Sequence, residues 1–199
     1  MIDRLLFVGL RNPGAEFDGT RHNVGERVVV GVAEGARFKR APKRIRAQMA
    51  EVSLAKRSVS LALPTTNMNQ SGGPVAGLVK YYSVDLDHVV VVHDDIDVPF
   101  GRLRFQFDRG PGGHNGVASI AQSLDSRGFW RLKVGVGRPP GRMDPADYVL
   151  RRFTLKERPD ADLLVAEASD VLRTFAADGD EAARQYAGDA TQRLGIERG

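Results

Sequence analysis

The sequence of 199 residues contains no cysteine, which excludes disulfide bonds, thiolate–metal sites and a cysteine nucleophile. The lack of cysteine also suits a reducing compartment, so we expect a cytoplasmic protein. No apolar run approaches the roughly 18 residues that span a membrane. The first residues, MIDRLLFVGL, hold too short an apolar stretch for a signal peptide and predict a first strand instead. These absences together predict a protein without a membrane partner.

Internal repeats, low-complexity segments and Pro/Ser-rich linkers are also missing from the sequence. A chain of 199 residues, of which 42% are hydrophobic, is long enough to bury one substantial core. We therefore predict a single domain over residues 1–199, in which about 155–199 form a C-terminal helical cover.

The basic charge lies in the main body of the chain. Residues 1–154 carry 23 Lys and Arg against 15 Asp and Glu, a balance of +8, whereas residues 155–199 carry 6 against 10, a balance of −4. The segment RFKRAPKRIR (residues 37–46) has six basic residues in ten and no acidic one. A basic face on a small protein indicates a polyanionic partner, with nucleic acid first, although ordinary solvated surfaces show the same pattern.

Hydrophobic patterning predicts strands that alternate with helices. The predicted strands are LLFVGL, AQMAEVSLA, SVSLALP, HVVVVHDD, RLRFQF and FWRLKVGVG. The predicted helices cover residues 23–38, about 71–82, NGVASIAQSL and most of 144–192. At the start of the first helix, Asn23 with Glu26 resembles a capping box. Interleaved strands and helices predict the α/β class, as a single-domain three-layer α/β/α sandwich with a central mixed sheet.

Polar motifs fall where predicted strands end or helices begin, which is where open α/β sheets place their sites. His22, in TRHNVG, immediately precedes a predicted helix, whose dipole disfavours the protonated imidazole and leaves the neutral form that a general base requires. Such a base needs a carboxylate partner. The motif HDDID offers Asp94, Asp95 and Asp97, and strand alternation separates Asp94 from the other two. The residues alone leave the choice among them open.

HDDID could also hold a hydrolytic cation, because His and Asp are metal ligands. Against this, the other candidate site residues are amides, which are weak ligands, and no H-x-x-x-H or H-E-x-x-H spacing occurs. A G-x-S-x-G elbow is missing as well, so water is the expected nucleophile of any hydrolase here. We therefore expect no metal and no cofactor.

Three asparagines occupy turn-like settings: Asn12 in RNPG, Asn69 in TTNMNQSG and Asn115 in GGHNG. Each alone is most simply a turn or cap residue. Together they would make a cleft of neutral amides, which both donate and accept hydrogen bonds. Such a cleft suits a peptide backbone or an ester carbonyl.

The chain closely resembles bacterial peptidyl-tRNA hydrolases in five segments, which occur in that family's order and spacing: GLRNPGAEFDGTRHNVG, PTTNMNQSGGPV, VVHDDIDVPFGRLR, GPGGHNGVASI and FWRLKVGVGRP. The resemblance extends from about Leu5 to Phe153. It implies a monomeric, metal-independent esterase with one α/β/α domain. The implied reaction hydrolyses the ester that joins a stalled peptide to the 3′ ribose of tRNA, and so recycles the tRNA.

The resemblance also implies roles for individual residues. His22 would be the general base that activates water, and Asp94 would accept a hydrogen bond from its imidazole. Asn12 would help to distinguish a blocked from a free α-amino group. Asn69 and Asn115 would hold the peptidyl and terminal-nucleotide parts of the substrate.

The glycine-rich loop GPGGHNG (residues 110–116) would bring backbone close to the acyl and ribose end of the substrate, with His114 supporting its rim. Arg102, Arg104, Lys133 and the segment 37–46 would neutralise tRNA phosphates. Binding to tRNA would then be sensitive to salt.

Three positions depart from the family pattern. Phe17 stands where the family usually has tyrosine, Asn67 replaces a phenylalanine, and Gln106 stands where some members have a phosphate-contacting lysine. Phe17 and Asn67 are expected beside the substrate, so these departures bear on substrate affinity and on packing of the acceptor end. Two alternatives accompany the hydrolase. One is a catalytically weak RNA-binding module on the same fold, similar to chloroplast RNA-splicing factors, and the other is a metal phosphoesterase that uses HDDID.

Overall fold

The computed structural model describes residues 4–196, so the first and last three residues of the predicted domain lie outside the described residues. These residues form one seven-stranded sheet with helices on both faces. The strands are β1 (Arg4–Gly9), β2 (Lys39–Arg40), β3 (Ala47–Leu54), β4 (Arg57–Pro64), β5 (Val89–Asp95), β6 (Leu103–Phe107) and β7 (Trp130–Gly135). The helices are α1 (Val24–Ala33), α2 (Gly72–Tyr82), α3 (Asn115–Leu124), α4 (Pro145–Val149) and α5 (Arg158–Leu194).

The strand order across the sheet is β2–β3–β4–β1–β5–β7–β6. The central strands β4, β1, β5 and β7 run parallel, whereas β2, β3 and β6 pair antiparallel with their neighbours. β5 begins with four consecutive valines, all fully buried, because a central parallel strand is covered by helices on both faces. Since β1 and β5 are parallel neighbours, their carboxyl ends open at the same edge of the sheet.

Two hydrophobic cores flank the sheet, and the alternation of β1 divides its side chains between them. Leu5 and Phe7 belong to the core under α1 and α5. Leu6 and Val8 belong to the core under α2 and α3. The predicted three-layer α/β/α sandwich with a central mixed sheet is therefore confirmed.

The first helix is shorter than predicted. It ends at Ala33 and not at Phe38, because Glu34 and Gly35 both adopt left-handed backbone, with φ of 48° and 88°. A left-handed residue after the last turn is a common way for a helix to end. The chain then enters β2, a short strand inside the basic segment 37–46. This strand was not predicted from the sequence.

The C-terminal residues form one long element, α5, which packs along α1 and β6. Its helical geometry is interrupted at Gly179, where φ is 86° and ψ is −170°. Over residues 4–196, no helix combines the length and the apolar character needed to cross a membrane.

Candidate active site

A cleft of about 510 Å³ opens beside the carboxyl ends of β1 and β5. Its polar lining includes Asn12, His22, Asn69, Asp94, His114 and Asn115. These residues come from separate segments of the chain, and the structure brings all of them into one cavity.

His22 lies in a single-turn 3₁₀ helix, Arg21–Asn23, that leads into α1. This turn lies close to β5 because Gly25 packs directly on that strand. A Cβ on Gly25 would lie 2.2 Å from the Val92 carbonyl oxygen, a distance that no other residue tolerates. The close approach leaves His22 Nδ1 2.8 Å from Asp94 Oδ1.

Asp94 binds a second histidine on the same oxygen atom. His114 Nε2 lies 2.9 Å from Asp94 Oδ1, and His114 Nδ1 accepts a hydrogen bond from the Val117 N–H at the start of α3. His114 therefore carries its proton on Nε2 and donates it to Asp94. His22 likewise donates from Nδ1, which leaves the lone pair on its Nε2.

Asp94 is 2% exposed. Burial alone would raise the pKa of this carboxyl, but the electrostatic effect of the His114 and His22 imidazoles and the hydrogen bonds that they donate outweigh burial and hold the pKa of Asp94 well below its usual value. Asp94 is therefore a carboxylate near neutral pH. In that state it accepts a hydrogen bond from both imidazoles, and it would stabilise a positive charge on His22.

A third imidazole, His93, packs against His114 with their ring centres 4.6 Å apart. Its Nδ1 donates to the Asp94 carbonyl oxygen at 2.6 Å. Burial, followed by the electrostatic effect of the neighbouring His114, lowers the pKa of His93 to about 3. The ring is thus neutral near pH 7 and fills the space behind the site, whereas the sequence offered His93 only as a metal ligand within HDDID.

The glycine-rich loop (residues 110–116) turns just before His114 through two residues with positive φ. Gly112 has φ of 59° and Gly113 has φ of 79°, values that favour glycine. His114 is 8% exposed and lines the cleft as a largely buried side chain. Asn115 begins α3 directly afterwards, and its exposed side chain lines the cleft.

Asn12 follows β1 and is held by Asn23. The Asn12 N–H donates to Asn23 Oδ1, and the Asn12 carbonyl accepts from Asn23 Nδ2, each at 2.9 Å. Asn12 Oδ1 accepts from the Met68 N–H at 2.8 Å, so Nδ2 is the group of this side chain left to donate into the cleft. The Asn23 side chain makes no cap hydrogen bond to α1. The capping-box prediction is therefore wrong, because the backbone of Asn12 uses both ends of that amide.

The remaining predicted site residues are spread around the cleft. Asn69 lies in the 3₁₀ turn Met68–Gln70 and is exposed at the cleft wall. Asn67 precedes that turn as an exposed residue, and Phe17 is half-buried in a separate turn. Both lie outside the residues that line the cleft.

The three aspartates of HDDID have different partners. Asp95 forms an ion pair of 2.9 Å with Lys133, and Asp97 pairs with Arg138. The geometry therefore selects Asp94 as the partner of His22. Lys133, predicted to meet a phosphate, is a largely buried side chain that is already neutralised by Asp95. Arg104 is exposed on β6, directly across from Lys133 in the ladder.

One wall of the cleft was not predicted. Ile96, Val149 and Leu150 line it with apolar side chains, and Leu150 is 42% exposed there. The sequence did contain a signal for the short helix behind this wall, because Asp144 caps α4 and Pro145 occupies its first position. Nothing local to that segment indicates that it folds over His22.

His22, Asp94 and His114 also include the residue types that bind metals, and one ligand atom of each lies within 4.8 Å of the others. In this arrangement both imidazole nitrogens that face Asp94 carry protons donated to it. A metal ion would have to displace those protons.

Fold and cleft together define an α/β enzyme with a carboxylate-oriented histidine in its site. The family model for peptidyl-tRNA hydrolase matches residues 6–193. A peptidyl-tRNA hydrolase from Kineococcus radiotolerans is 49% identical over 192 residues, which covers 93% of this chain and 97% of the relative. One from Rhodococcus erythropolis is 46% identical over 184 residues, covering 92% and 96%.

A solved structure gives the same result. The crystal structure of peptidyl-tRNA hydrolase from Acinetobacter baumannii matches with a TM-score of 0.81 at 29% identity, covering 94% of this chain and 96% of that one. The chain therefore belongs to the peptidyl-tRNA hydrolase family. The family and the hydrolase activity predicted from the sequence are confirmed.

Proposed function

We propose that this chain cleaves the ester between a peptide and the 3′ ribose of tRNA with a water molecule activated by His22. The observation that carries the mechanism is the 2.8 Å contact between His22 Nδ1 and the buried Asp94 Oδ1 inside the cleft. This contact supports the tautomer whose Nε2 lone pair accepts a proton.

In the first step, His22 Nε2 removes a proton from water while the water oxygen attacks the ester carbonyl carbon. The carbonyl electron pair moves to oxygen and forms a tetrahedral oxyanion. When the oxyanion collapses, the bond to the ribose oxygen breaks, and the His22 imidazolium returns the proton to that leaving oxygen. The products are a peptide carboxylic acid and a tRNA with a free 3′ hydroxyl. Asp94 stabilises the imidazolium between the two steps.

The amides of the cleft supply hydrogen-bond donors that suit the oxyanion and the peptide backbone. Because Asn12 Oδ1 is bound by the Met68 N–H, Asn12 acts toward the substrate as a donor. A donor pairs well with the carbonyl oxygen of a blocked amino group and poorly with the ammonium of a free one. Asn12 therefore favours peptidyl-tRNA over aminoacyl-tRNA.

The tRNA partner is held through its phosphates in this proposal. Arg104 is exposed on β6 across from Lys133, whereas a phosphate at Lys133 has to compete with Asp95. The proposal also includes a cytoplasmic monomer that works without metal or cofactor. The absence of cysteine supports the cytoplasmic location, and the protonated imidazole nitrogens around Asp94 support a mechanism without metal.

A catalytically weak RNA-binding module on the same fold is the second candidate. Asn67 and Phe17, which replace residues usual in the family, favour it. Their position outside the cleft lining weighs against it, since the His22–Asp94 pair is undisturbed.

Release of the acyl group from N-acetyl-aminoacyl-tRNA tests the proposal, with unblocked aminoacyl-tRNA as a control and EDTA in parallel. We expect rapid, chelator-insensitive cleavage of the blocked form alone. Salt-sensitive tRNA binding without cleavage would favour the binding module. Loss of cleavage in EDTA would instead indicate a metal-dependent enzyme.

A further inference from the structure

The basic segment of residues 37–46 forms a hairpin at one edge of the sheet, which we call the basic hairpin. β2 lies in this segment and pairs antiparallel with β3, and the turn between the two strands leads back to Ala47 at the start of β3. Because Ala47 pairs with Pro64 at the carboxyl end of β4, the turn lies at the same end of the sheet as the cleft. β2 is three strand positions from β1, a separation of roughly 14 Å.

All cations of the basic hairpin are exposed; they are Arg37, Lys39, Arg40, Lys43, Arg44 and Arg46. In the part of the chain that the structure describes, no acidic residue forms an ion pair with any of them. Their surroundings are equally poor in acid. Residues 35–84 contain nine Lys and Arg and a single acidic residue, Glu51, which pairs with Arg4. A cluster of cations without counter-charges creates a field that attracts polyanions.

Two of these cations occupy positions with positive φ, a backbone conformation that residues other than glycine disfavour. The Ile45 N–H donates to the Pro42 carbonyl oxygen at 3.1 Å and closes a β-turn. Its central residues, Lys43 and Arg44, have φ of 49° and 58°. Turns with two positive φ values favour Asn-Gly at these positions. Strained backbone of this kind concentrates at functional sites, and here it presents two long cations at the tip of the hairpin.

An exposed aromatic ring lies beside the same turn. Lys43 Nζ is 5.7 Å from the ring centre of Tyr81, which is 43% exposed at the end of α2. Ile45 anchors the hairpin on that helix, since a Cβ on Gly77 would lie 3.2 Å from Ile45 Cγ1. Cations next to an exposed ring suit RNA, because the cations neutralise phosphates and the ring contacts bases or riboses.

We propose that the basic hairpin is a second RNA-binding surface, which contacts phosphates of the bound tRNA on the flank of the cleft opposite β6 and β7. The inference rests on the proposed function, because the cleft must hold the acceptor end for the hairpin to meet the same molecule. β2 and β6 are the two edges of the sheet, roughly 29 Å apart. One tRNA over the cleft is then held on both sides.

The turn allows a variant that removes the tip cations without weakening the fold. Lys43→Asn/Arg44→Gly installs the Asn-Gly pair that this backbone favours. The matched control is Ala55→Asn/Lys56→Gly in the β3–β4 turn, whose central residues also have positive φ, 47° and 67°, at the opposite end of the sheet. Each variant should raise Tm by about 2–4 °C, so weaker RNA binding cannot be attributed to unfolding.

The readouts are the KM for N-acetyl-aminoacyl-tRNA and the Kd for deacylated tRNA over a range of salt concentrations. We expect the hairpin variant to raise both by about tenfold or more and to reduce the salt slope by about one to two, with the kinetic effect in KM and not in kcat. The control should leave the KM, the Kd and the salt slope unchanged. Equal KM, Kd and salt slope in the two variants would overturn the inference. An inactive wild type would contradict the proposed function, while the Kd and its salt slope would still decide the role of the hairpin.

Discussion

Asn23 and Asn12 are joined by two hydrogen bonds of 2.9 Å, in which the side-chain amide of Asn23 both accepts from and donates to the Asn12 backbone. Asn23 is 1% exposed and belongs to the turn that carries His22. The pair therefore links the segment after β1 to the turn of the proposed base. Asn23, which is not among the residues that line the cleft, thus sets the position of Asn12, which is one of them.

We expect Asn23→Ala to lower kcat/KM by about 100-fold, because displacing a positioned group by about 1 Å costs that much. Asn23→Asp should be similarly impaired, since it loses the donor and places a carboxylate oxygen against the Asn12 carbonyl. The Kd for tRNA should change little in both variants, because no cation is removed. Steady-state kinetics and tRNA titration measure the two effects. Gln122→Ala, at an exposed amide on α3, is the control, and wild-type kcat/KM in Asn23→Ala would refute the linkage.

Removal of the proposed base should separate catalysis from binding. His22→Ala is expected to reduce turnover by about 10²- to 10⁴-fold while leaving the tRNA Kd near the wild-type value, because it removes a proton acceptor and no phosphate contact. Asp94→Asn should also slow turnover strongly, by up to about 10⁴-fold, because the amide no longer enforces the tautomer of His22. Single-turnover cleavage of N-acetyl-aminoacyl-tRNA measures both. A near-normal rate in His22→Ala would show that the assigned mechanism is wrong.

Much of the fold could be predicted from local patterns. The valine run of β5 and the periodicity of α2 and α3 correctly predicted a sheet covered on both faces. The end of α1 was misplaced because Glu34, an ordinary helix-forming residue, takes left-handed backbone before Gly35. β2 was missed because two residues are too few to show alternation.

The candidate site was predictable only in part. The family resemblance placed His22, Asp94 and the cleft amides, all of which the structure brings together. The pairing of Asn23 with Asn12 could not be predicted, because it depends on how the turn before α1 packs beside β1. The same applies to His114, whose bond to Asp94 joins the loop between β6 and α3 to the end of β5, two segments that only the folded sheet brings into contact.

His114 has two separable roles, as a donor to Asp94 and as the N-cap of α3. His114→Asn keeps a good capping group but cannot reach Asp94, whereas His114→Ala loses both. We expect both variants to lose about 10- to 100-fold in kcat/KM, because Asp94 then has one donor fewer to fix its position against His22. The alanine variant alone should lose a further ~1 kcal/mol of unfolding free energy. Kinetics and denaturant unfolding distinguish the roles, and full activity in His114→Asn would mean that His22 alone suffices to orient Asp94.

His93 should make the protein less stable in mild acid. Its pKa is about 3 in the folded protein, because of burial first and the electrostatic effect of His114 second, against about 6.5 in the unfolded chain. Between these values the unfolded chain binds a proton that the folded protein does not, so stability rises with pH and falls as the pH drops below about 6.5. One such proton contributes a slope of about 1.4 kcal/mol per pH unit.

Denaturant unfolding between about pH 6 and 4.5, above most of the carboxylate titrations, should show this slope in the wild type and a shallower one in His93→Asn, which cannot take up the proton. Equal slopes in the two proteins would mean that another group causes the acid sensitivity.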